Sequence, residues 1–383
     1  MASTNIHIYP SPLTHESRIL RITDALAKAG IFNQIEVYGV SAPGLPDRQP
    51  IDAKRTFLRY PRKLFGSSNG FVAKVIKTVE WSARILASLR GRKIACINAH
   101  SLAVLPLCYV ASRMTGARLI YDTHELETET TGYKGVRQKL GRLIEKRLIK
   151  RCDDVFVVSD AIADWYAERY GIARPHVTRN IPQFSAVASA PSAQADLREK
   201  MGVTPDDLLF VYQGGFIAGR GIERLLSVFA QMPASIHLMC MGSGPLHDQI
   251  VAAAAAHPNI HLPPPVAPQE VLGYTKAADV GICLTDNSCL SHYYSLPNKV
   301  FEYLHAGLPI IVNPLQEQQG IIEQHQCGWV APEDDAALAK MLRGITRETL
   351  IDRQAGVKQA AITFDWHNEA ANLVQRYRSL NFG

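Results

Sequence analysis

Short runs rich in β-branched and aromatic residues recur along the first half of the chain, at 5–9, 35–38, 94–98, 119–122 and 155–158. Runs of this length with little polar alternation are the pattern of strands buried on both faces. Segments of helical period lie between several of them, 18–29 and 105–115 among them. Strands alternating with amphipathic helices predict a parallel sheet wound on both sides. The pattern then stops: residues 186–195 are small, uncharged and free of aromatics, which by composition is a linker. It restarts with apolar runs at 208–213, 236–241, 260–262, 280–284 and 310–313, again with helical stretches between. The expected organisation is therefore one α/β domain over 1–185, a linker at 186–195, a second over 196–363, and an amphipathic helix in 364–383. Doubly wound sheets bind ligands beyond the carboxyl ends of their strands, so two such domains are expected to hold a ligand in a cleft.

Composition narrows the class. With 47% hydrophobic and 20% charged residues the chain is that of a folded enzyme rather than a disordered or fibrous protein. No window approaches the roughly 18 uninterrupted apolar residues of a membrane span. The opening Met1-Ala2-Ser3-Thr4-Asn5 lacks the basic head and apolar body of a signal peptide, so a cytoplasmic protein is expected. Seven cysteines without a CxxC pair read as reduced thiols in apolar surroundings.

Charge changes the picture more. Residues 1–190 carry 28 Lys/Arg and 16 Asp/Glu, a net +12, whereas residues 191–383 carry a net −6. Residues 54–93 hold eleven basic residues against Glu80 alone, interleaved with Tyr60, Leu64, Phe65, Phe71, Val72, Val75, Ile76 and Trp81. A second run, 134–151, has eight basic residues and one acid on a helical pattern. Cationic segments mixed with apolar residues suit an anionic bilayer surface. No recognised nucleic-acid module surrounds them, so nucleic acid is not an expected partner. Plain solvated helix faces are the competing reading.

Two segments of the second half carry candidate chemistry. In Tyr212-Gln-Gly-Gly-Phe-Ile-Ala-Gly-Arg-Gly-Ile222 an apolar strand enters a glycine-rich loop with Arg220 and then a helix. Glycines at Gly214 and Gly215 allow close backbone approach, and a helix N-terminus presents free N–H groups to an anion. The segment is neither a Walker loop nor GxGxxG, and an ordinary strand–helix turn is the alternative. In Ser295-Leu-Pro-Asn-Lys-Val-Phe-Glu302 a helix beginning near Lys299 puts Glu302 one turn on along the same face. There Lys299 suits a phosphate oxygen and Glu302 a ribose diol; the alternative is a surface ion pair.

Taken jointly with Met241-Gly242-Ser243-Gly244-Pro245, these segments resemble the nucleotide-sugar half of GT-B glycosyltransferases, most of all the large retaining glycosyltransferase family four. Tyr121-Asp-Thr-His-Glu125 and Arg179-Asn-Ile-Pro182 extend the resemblance to nearly the whole chain. It implies two Rossmann-like domains facing a cleft, with the 364–383 helix returning to the first. It further implies transfer of a sugar, with retention, from a nucleoside diphosphate sugar to a hydroxyl on a lipid-linked or cell-surface glycan, without an obligatory metal or other cofactor. Arg220 and Lys299 would hold the diphosphate, Glu302 the ribose, and the backbone at Pro265 and Val266 the base. Gly214, Gly215, Gly242 and Ser295 would complete the donor site, with backbone N–H groups reading the sugar. Two positions depart from the family pattern: Tyr294 stands where many members have glutamate, and Gly214 where many have arginine. Ser291, His292 and Tyr293 are the substitutes at hand.

In the first half, His124 follows a predicted strand and by the same resemblance would act at the reacting end of the donor. His15, Arg18 and Glu125 are candidate acceptor contacts. Strand-like alternation would put Glu125, Glu127 and Glu129 on one face, but they read rather as a solvated loop, and Asp153-Asp154 as structural because the pair begins a strand. With no Asp-x-Asp and no clustered histidine ligands, no metal site is expected. The resulting enzyme would sit peripherally on the inner face of the membrane. A nucleotide-sugar epimerase of the same fold and a noncatalytic membrane-associated subunit are the rival readings.

Overall fold

A computed structural model describes residues 3–14, 16–64, 70–183, 191–267 and 270–382. The chain divides into two compact units, Met1–Arg179 together with Glu369–Gly383, and Asn180–Asn368.

The first unit is built on an eight-stranded sheet of β1 (Thr4–Ile8), β2 (Gln34–Val40), β3 (Arg48–Pro50), β4 (Arg55–Tyr60), β5 (Cys96–His100), β6 (Arg118–Asp122), β7 (Asp154–Val157) and β8 (His176–Val177). Its order is β3-β4-β2-β1-β5-β6-β7-β8. Every pairing is parallel except β3 with β4. β1 and β5 are buried at every residue, as central parallel strands covered on both faces must be. Helices close cleanly where the sequence supplies the caps. Ser159 accepts from the Ile162 N–H to start Asp160–Tyr170, and Gly171, at φ +60°, ends it.

The sequence pattern locates β1, β2, β5, β6 and β7 to within two residues at either end, but not β3, β4 or β8. β4 was hidden because its alternation is inverted: Arg55, Phe57 and Arg59 point inward. Arg55 reaches Asp24 and Asp52. Arg59 donates to the carbonyls of Pro12 and Pro46 and to Gln49. Two cations of the expected basic surface at 54–93 are thus structural, as are Arg84 and Arg92, paired with Glu80 and Glu36. Trp81, expected on that surface, is buried and donates its indole N–H to the Gly39 carbonyl. Phe65 and the Phe71 side chain lie outside the described residues.

The second unit carries a wholly parallel sheet of β9 (Leu208–Gly215), β10 (Ile236–Ser243), β11 (Ile260–His261), β12 (Val280–Cys283), β13 (Ile310–Val312) and β14 (Gly328–Val330), ordered β11-β10-β9-β12-β13-β14. Its core gathers Phe210, Tyr212, Phe216, Phe229 and Leu238 with Ile282 and Ile311. Of the expected linker, 186–190 lies outside the described residues, and 191–195 instead opens the helix Pro191–Lys200. The helix Trp366–Ser379 runs into the first unit. There Arg376 pairs with Asp154, Tyr377 donates to Asn98, and Arg179 pairs with Glu369. Asp154 is a structural ion-pair partner, as its place at the start of a strand suggests.

Candidate functional site

Chemistry-bearing residues gather at the carboxyl end of each sheet. In the second unit β9 and β10 are buried along their length and emerge only at Gly214-Gly215 and Gly242-Ser243. The two strand ends are in register, Gly214 beside Gly242. A Cβ on Gly242, at φ +153°, would lie 1.8 Å from the Gly214 carbonyl oxygen. Only glycine allows this approach. Beyond Gly215 the loop carries Arg220 to the helix Ile222–Phe229, whose cap Gly221 is left-handed at φ +77°.

The helix Asn298–His305 begins after Pro297, whose extended backbone ends the preceding segment. Its Lys299 ammonium lies 3.9 Å from the centroid of the Tyr212 ring, a favourable place for a partly desolvated cation. Burial lowers the Lys299 pKa, and the nearby Arg220 lowers it further. Two cations held close at the mouth of a glycine turn make a site with an unmet demand for negative charge.

One turn on, Glu302 receives a hydrogen bond from the Gln213 side-chain amide. Gln213 is itself fixed: its Oε1 accepts from Thr275 Oγ1 at 2.6 Å, and its backbone N–H donates to the Tyr303 hydroxyl at 3.0 Å. Glu302 is therefore pinned from the end of β9. Gln213 and Thr275 were not identified from sequence, because an amide on a strand and a threonine on a short helix carry no local signal.

Pro265 and Val266 lie in the loop after β11, Pro265 exposed and Val266 half-buried. Ser295 donates its hydroxyl to the His292 carbonyl, and its N–H does the same. The N–H groups of Tyr293 and Tyr294 are also spent, on Cys289 and Leu290 carbonyls. Sugar reading by these three backbone groups is thus closed off in this conformation. Of the proposed substitutes, Ser291 is buried, while His292 holds Ser288 and the Asp286 carbonyl.

In the first unit, the carboxyl ends of β1, β5 and β6 bring His7, His100 and Asp122 together, with His124 two residues beyond β6. His100 Nδ1 lies 3.0 Å from Asp122 Oδ2 and 3.1 Å from His124 Nε2. The Tyr9 ring stacks on His124 at 5.2 Å between centroids. Burial alone would raise the Asp122 pKa, but Arg18, His100 and His124 hold it well below the usual carboxylate range. Burial takes His124 down to about 3, so its imidazole is neutral at physiological pH.

Three expectations need correction here. Arg18 is not an open acceptor contact. It is buried, bidentate on Asp122, and donates to the Thr178 carbonyl at 2.7 Å. Glu127 and Glu129 do not form a solvated loop. Both are buried, Glu129 against Arg142 and Gln138, and burial next to Glu145 pushes Glu127 up to about 8. Histidines do cluster, since His100, Asp122 and His124 place ligand-type atoms within 4.8 Å of one another. His100 ends one strand, while Asp122 and His124 lie at and just beyond the end of another, so spacing along the chain could not show it. Glu125 is exposed, and His15 lies outside the described residues.

The sequence matches the family described as Glycosyltransferase Family 4 over residues 15–180 and that described as Glycosyl transferases group 1 over residues 207–347. Comparison with curated protein sequences gave no match. The fold is similar to sucrose-phosphate synthase from Thermosynechococcus elongatus, with a TM-score of 0.79 at 16% identity, covering 99% of both chains. It is similar too to Anabaena HepE in complex with UDP and glucose, with a TM-score of 0.75 at 14% identity over 98% of this chain and 100% of that one. WaaG, a glycosyltransferase involved in lipopolysaccharide biosynthesis, gives a TM-score of 0.63 at 17% identity over 98% and 99%. At such identities the likeness speaks for the fold, and the two sequence matches in order speak for the family. The chain belongs to the group 1, family four glycosyltransferases and has their GT-B fold of two Rossmann-like units.

Proposed function

We propose that the protein transfers a sugar from a nucleoside diphosphate sugar to an acceptor hydroxyl on a lipid-linked or cell-surface glycan, with retention of configuration. The observation that carries this reading is the Lys299 and Arg220 pair at the Gly214–Gly221 turn, beside a Glu302 held by Gln213. Departure of a nucleoside diphosphate concentrates negative charge on the leaving group, and preorganised cations and helix N–H groups are what that step requires. Glu302, fixed by the Gln213 amide, is suited to accept from both hydroxyls of a ribose. His124, neutral at the end of β6, serves the reacting end of the donor. Because Lys299 and Arg220 meet the diphosphate, the step proceeds without an obligatory metal. A donor screen by mass spectrometry across nucleotide sugars, with and without acceptor, tests this. Acceptor-dependent release of nucleoside diphosphate is the expected result, whereas acceptor-independent change of the sugar would mark an epimerase.

A surface feature supports peripheral attachment to an anionic membrane. On the helix Gly135–Leu148, Val136, Leu140 and Leu143 are 83%, 55% and 45% exposed, and Lys139, Lys146, Arg147 and Lys150 lie exposed on or just beyond it. The one acid of the 134–151 run, Glu145, points inward, where the hydroxyls of Tyr121, Tyr166 and Tyr170 donate to it. That leaves an outer face of cations and aliphatic side chains, the combination that binds acidic headgroups. Among the described residues no helix is long and apolar enough to cross a membrane.

A further inference from the structure

His100, Asp122 and His124 have the ligand types of a zinc centre. Whether they act as one depends on which ring nitrogens carry protons, and the surrounding hydrogen bonds decide it. Asn98 Nδ2 donates to the Ile6 carbonyl at 3.2 Å, which can only accept, so the orientation of the Asn98 amide is set. Its Oδ1 accordingly accepts from the Tyr377 hydroxyl at 2.6 Å, and its Nδ2 also donates to Asn5 Oδ1 at 2.6 Å. Asn5 must then present Nδ2 to His7 Nε2, 3.0 Å away. His7 Nε2 is an acceptor, so the proton of the neutral ring is on Nδ1, which donates to His100 Nε2 at 2.7 Å. By the same step His100 carries its proton on Nδ1, directed at Asp122 Oδ2 and His124 Nε2. His124 Nε2 lies 3.9 Å from Asp122 Oδ2, beyond hydrogen-bond reach, and faces the His100 N–H. It is therefore a lone pair, and the His124 proton is on Nδ1.

We propose that Asn5, His7 and His100 are positioning residues that fix His124 as its neutral Nδ1–H tautomer, a hydrogen-bond donor for an oxygen of the bound sugar donor. The role at the sugar rests on the function proposed above; the tautomer assignment does not. The one-way chain begins at Tyr377 on the C-terminal helix and crosses the core of the first unit to its carboxyl edge. Its last ring is also its most accessible, with the His124 side chain 23% exposed against 1% for His100. The polarity argues against a metal centre. A zinc ion would need the His100 Nδ1 lone pair that the chain keeps protonated, beside an Asp122 already neutralised by Arg18. Burial holds both His7 and His124 neutral, in keeping with this arrangement.

The test is long-range proton–nitrogen NMR on the full chain labelled with 15N-histidine at neutral pH. His7, His100 and His124 should each show the Nδ1–H pattern. An Nε2–H or doubly protonated His124 overturns the proposal. His7→Leu should release His124 to a mixture of tautomers, while His7→Asn, which returns an amide N–H at the place of Nδ1, should preserve the Nδ1–H signal. Loss of that signal in a folded His7→Asn also overturns it. One equivalent of zinc chloride should leave the ring resonances in place; displacement of the His100 and His124 signals would make the cluster a metal centre. In a transfer assay His7→Leu should lower kcat by about ten-fold, the scale of one lost hydrogen bond, with nucleotide affinity unchanged, and His7→Asn should recover most of it. An unchanged kcat despite a changed tautomer would sink the role at the sugar. If the unaltered protein transfers no sugar from any nucleotide donor, the proposed function fails while the spectra still decide the tautomer.

Discussion

The side-chain amide of Gln213, at the end of β9, donates to the carboxylate of Glu302, one turn into the helix Asn298–His305. The acid expected to meet the ribose is thus held from the neighbouring strand, and its setting depends on a residue 89 positions away. Glu302→Gln should weaken nucleoside diphosphate binding while affecting inorganic pyrophosphate much less. Calorimetry with both ligands checks this, and equal losses would mean that Glu302 merely organises Lys299. Gln213→Leu should reproduce the selective loss, because it removes the amide hydrogen bond to the Glu302 carboxylate and leaves the Thr275 hydroxyl to the Val271 carbonyl alone. The unmade hydrogen bonds cost about 1–3 kcal/mol.

Gly242 permits the contact of β10 with β9 at the mouth of the turn. Gly242→Ala should lower thermal stability and nucleotide affinity together, since its Cβ would collide with the Gly214 carbonyl, and both follow from one displaced strand end. Gly320, with open space around the place of its Cβ and on a helix, provides the control, for which Gly320→Ala should be neutral or stabilising. Melting temperatures and nucleotide titrations of the two variants test the contrast.

Two buried carboxyls give the first unit opposite responses to pH. Glu127 has its pKa raised to about 8 by burial and by Glu145. The folded state therefore holds a proton that the unfolded chain releases near pH 4.5. That contribution is full below the unfolded pKa and is lost as pH rises towards about 8. Asp122 is shifted down, so its contribution is present above the unfolded pKa near 3.8 and is lost as pH falls below it. Denaturant unfolding across pH should show Glu127→Gln flattening the decline between pH 5 and 8. The acid limb should remain as it was.

Vesicle sedimentation examines the outer face of the helix Gly135–Leu148. Binding should rise with anionic lipid and fall without vanishing as salt is added, because the charges are screened over about 8 Å at physiological ionic strength while apolar insertion is not. Lys139→Glu with Lys146→Glu should remove most of the lipid dependence, and Leu140→Ser most of the salt-resistant part. Arg62, within the basic stretch at 54–93, is a poorer probe, since its guanidinium packs over the Trp81 ring. A protein that stays in the supernatant with every lipid would assign this face to a soluble partner.

Apolar runs revealed the paired sheets because the central strands are buried on both faces and need little else. They failed at β4, where arginines occupy the inward positions and find acids and carbonyls there. Lys299, Glu302 and the glycine turn were legible because each sits in a contiguous segment whose spacing maps onto one loop or one helix face. Gln213, Thr275 and the His7–His100–Asp122–His124 cluster were not. Their meaning arises from contacts between elements far apart in sequence, such as Thr275 with Gln213, or His7 with His100 across β1 and β5. Arg18, in the first turn of the helix Ser17–Lys28, shows the reverse error, a candidate acceptor contact that the fold uses to neutralise Asp122.

The proposed transfer requires the second unit to hold a diphosphate through Lys299 and Arg220. Calorimetric titration of the intact protein with uridine and guanosine diphosphates, set beside Lys299→Ala and Arg220→Ala, measures this directly. Binding of at least one of the two nucleotides is predicted, with each substitution weakening it by about 1.5–3 kcal/mol, the size of one charge-assisted contact. Nucleotide affinity left unchanged by Lys299→Ala would contradict the assignment.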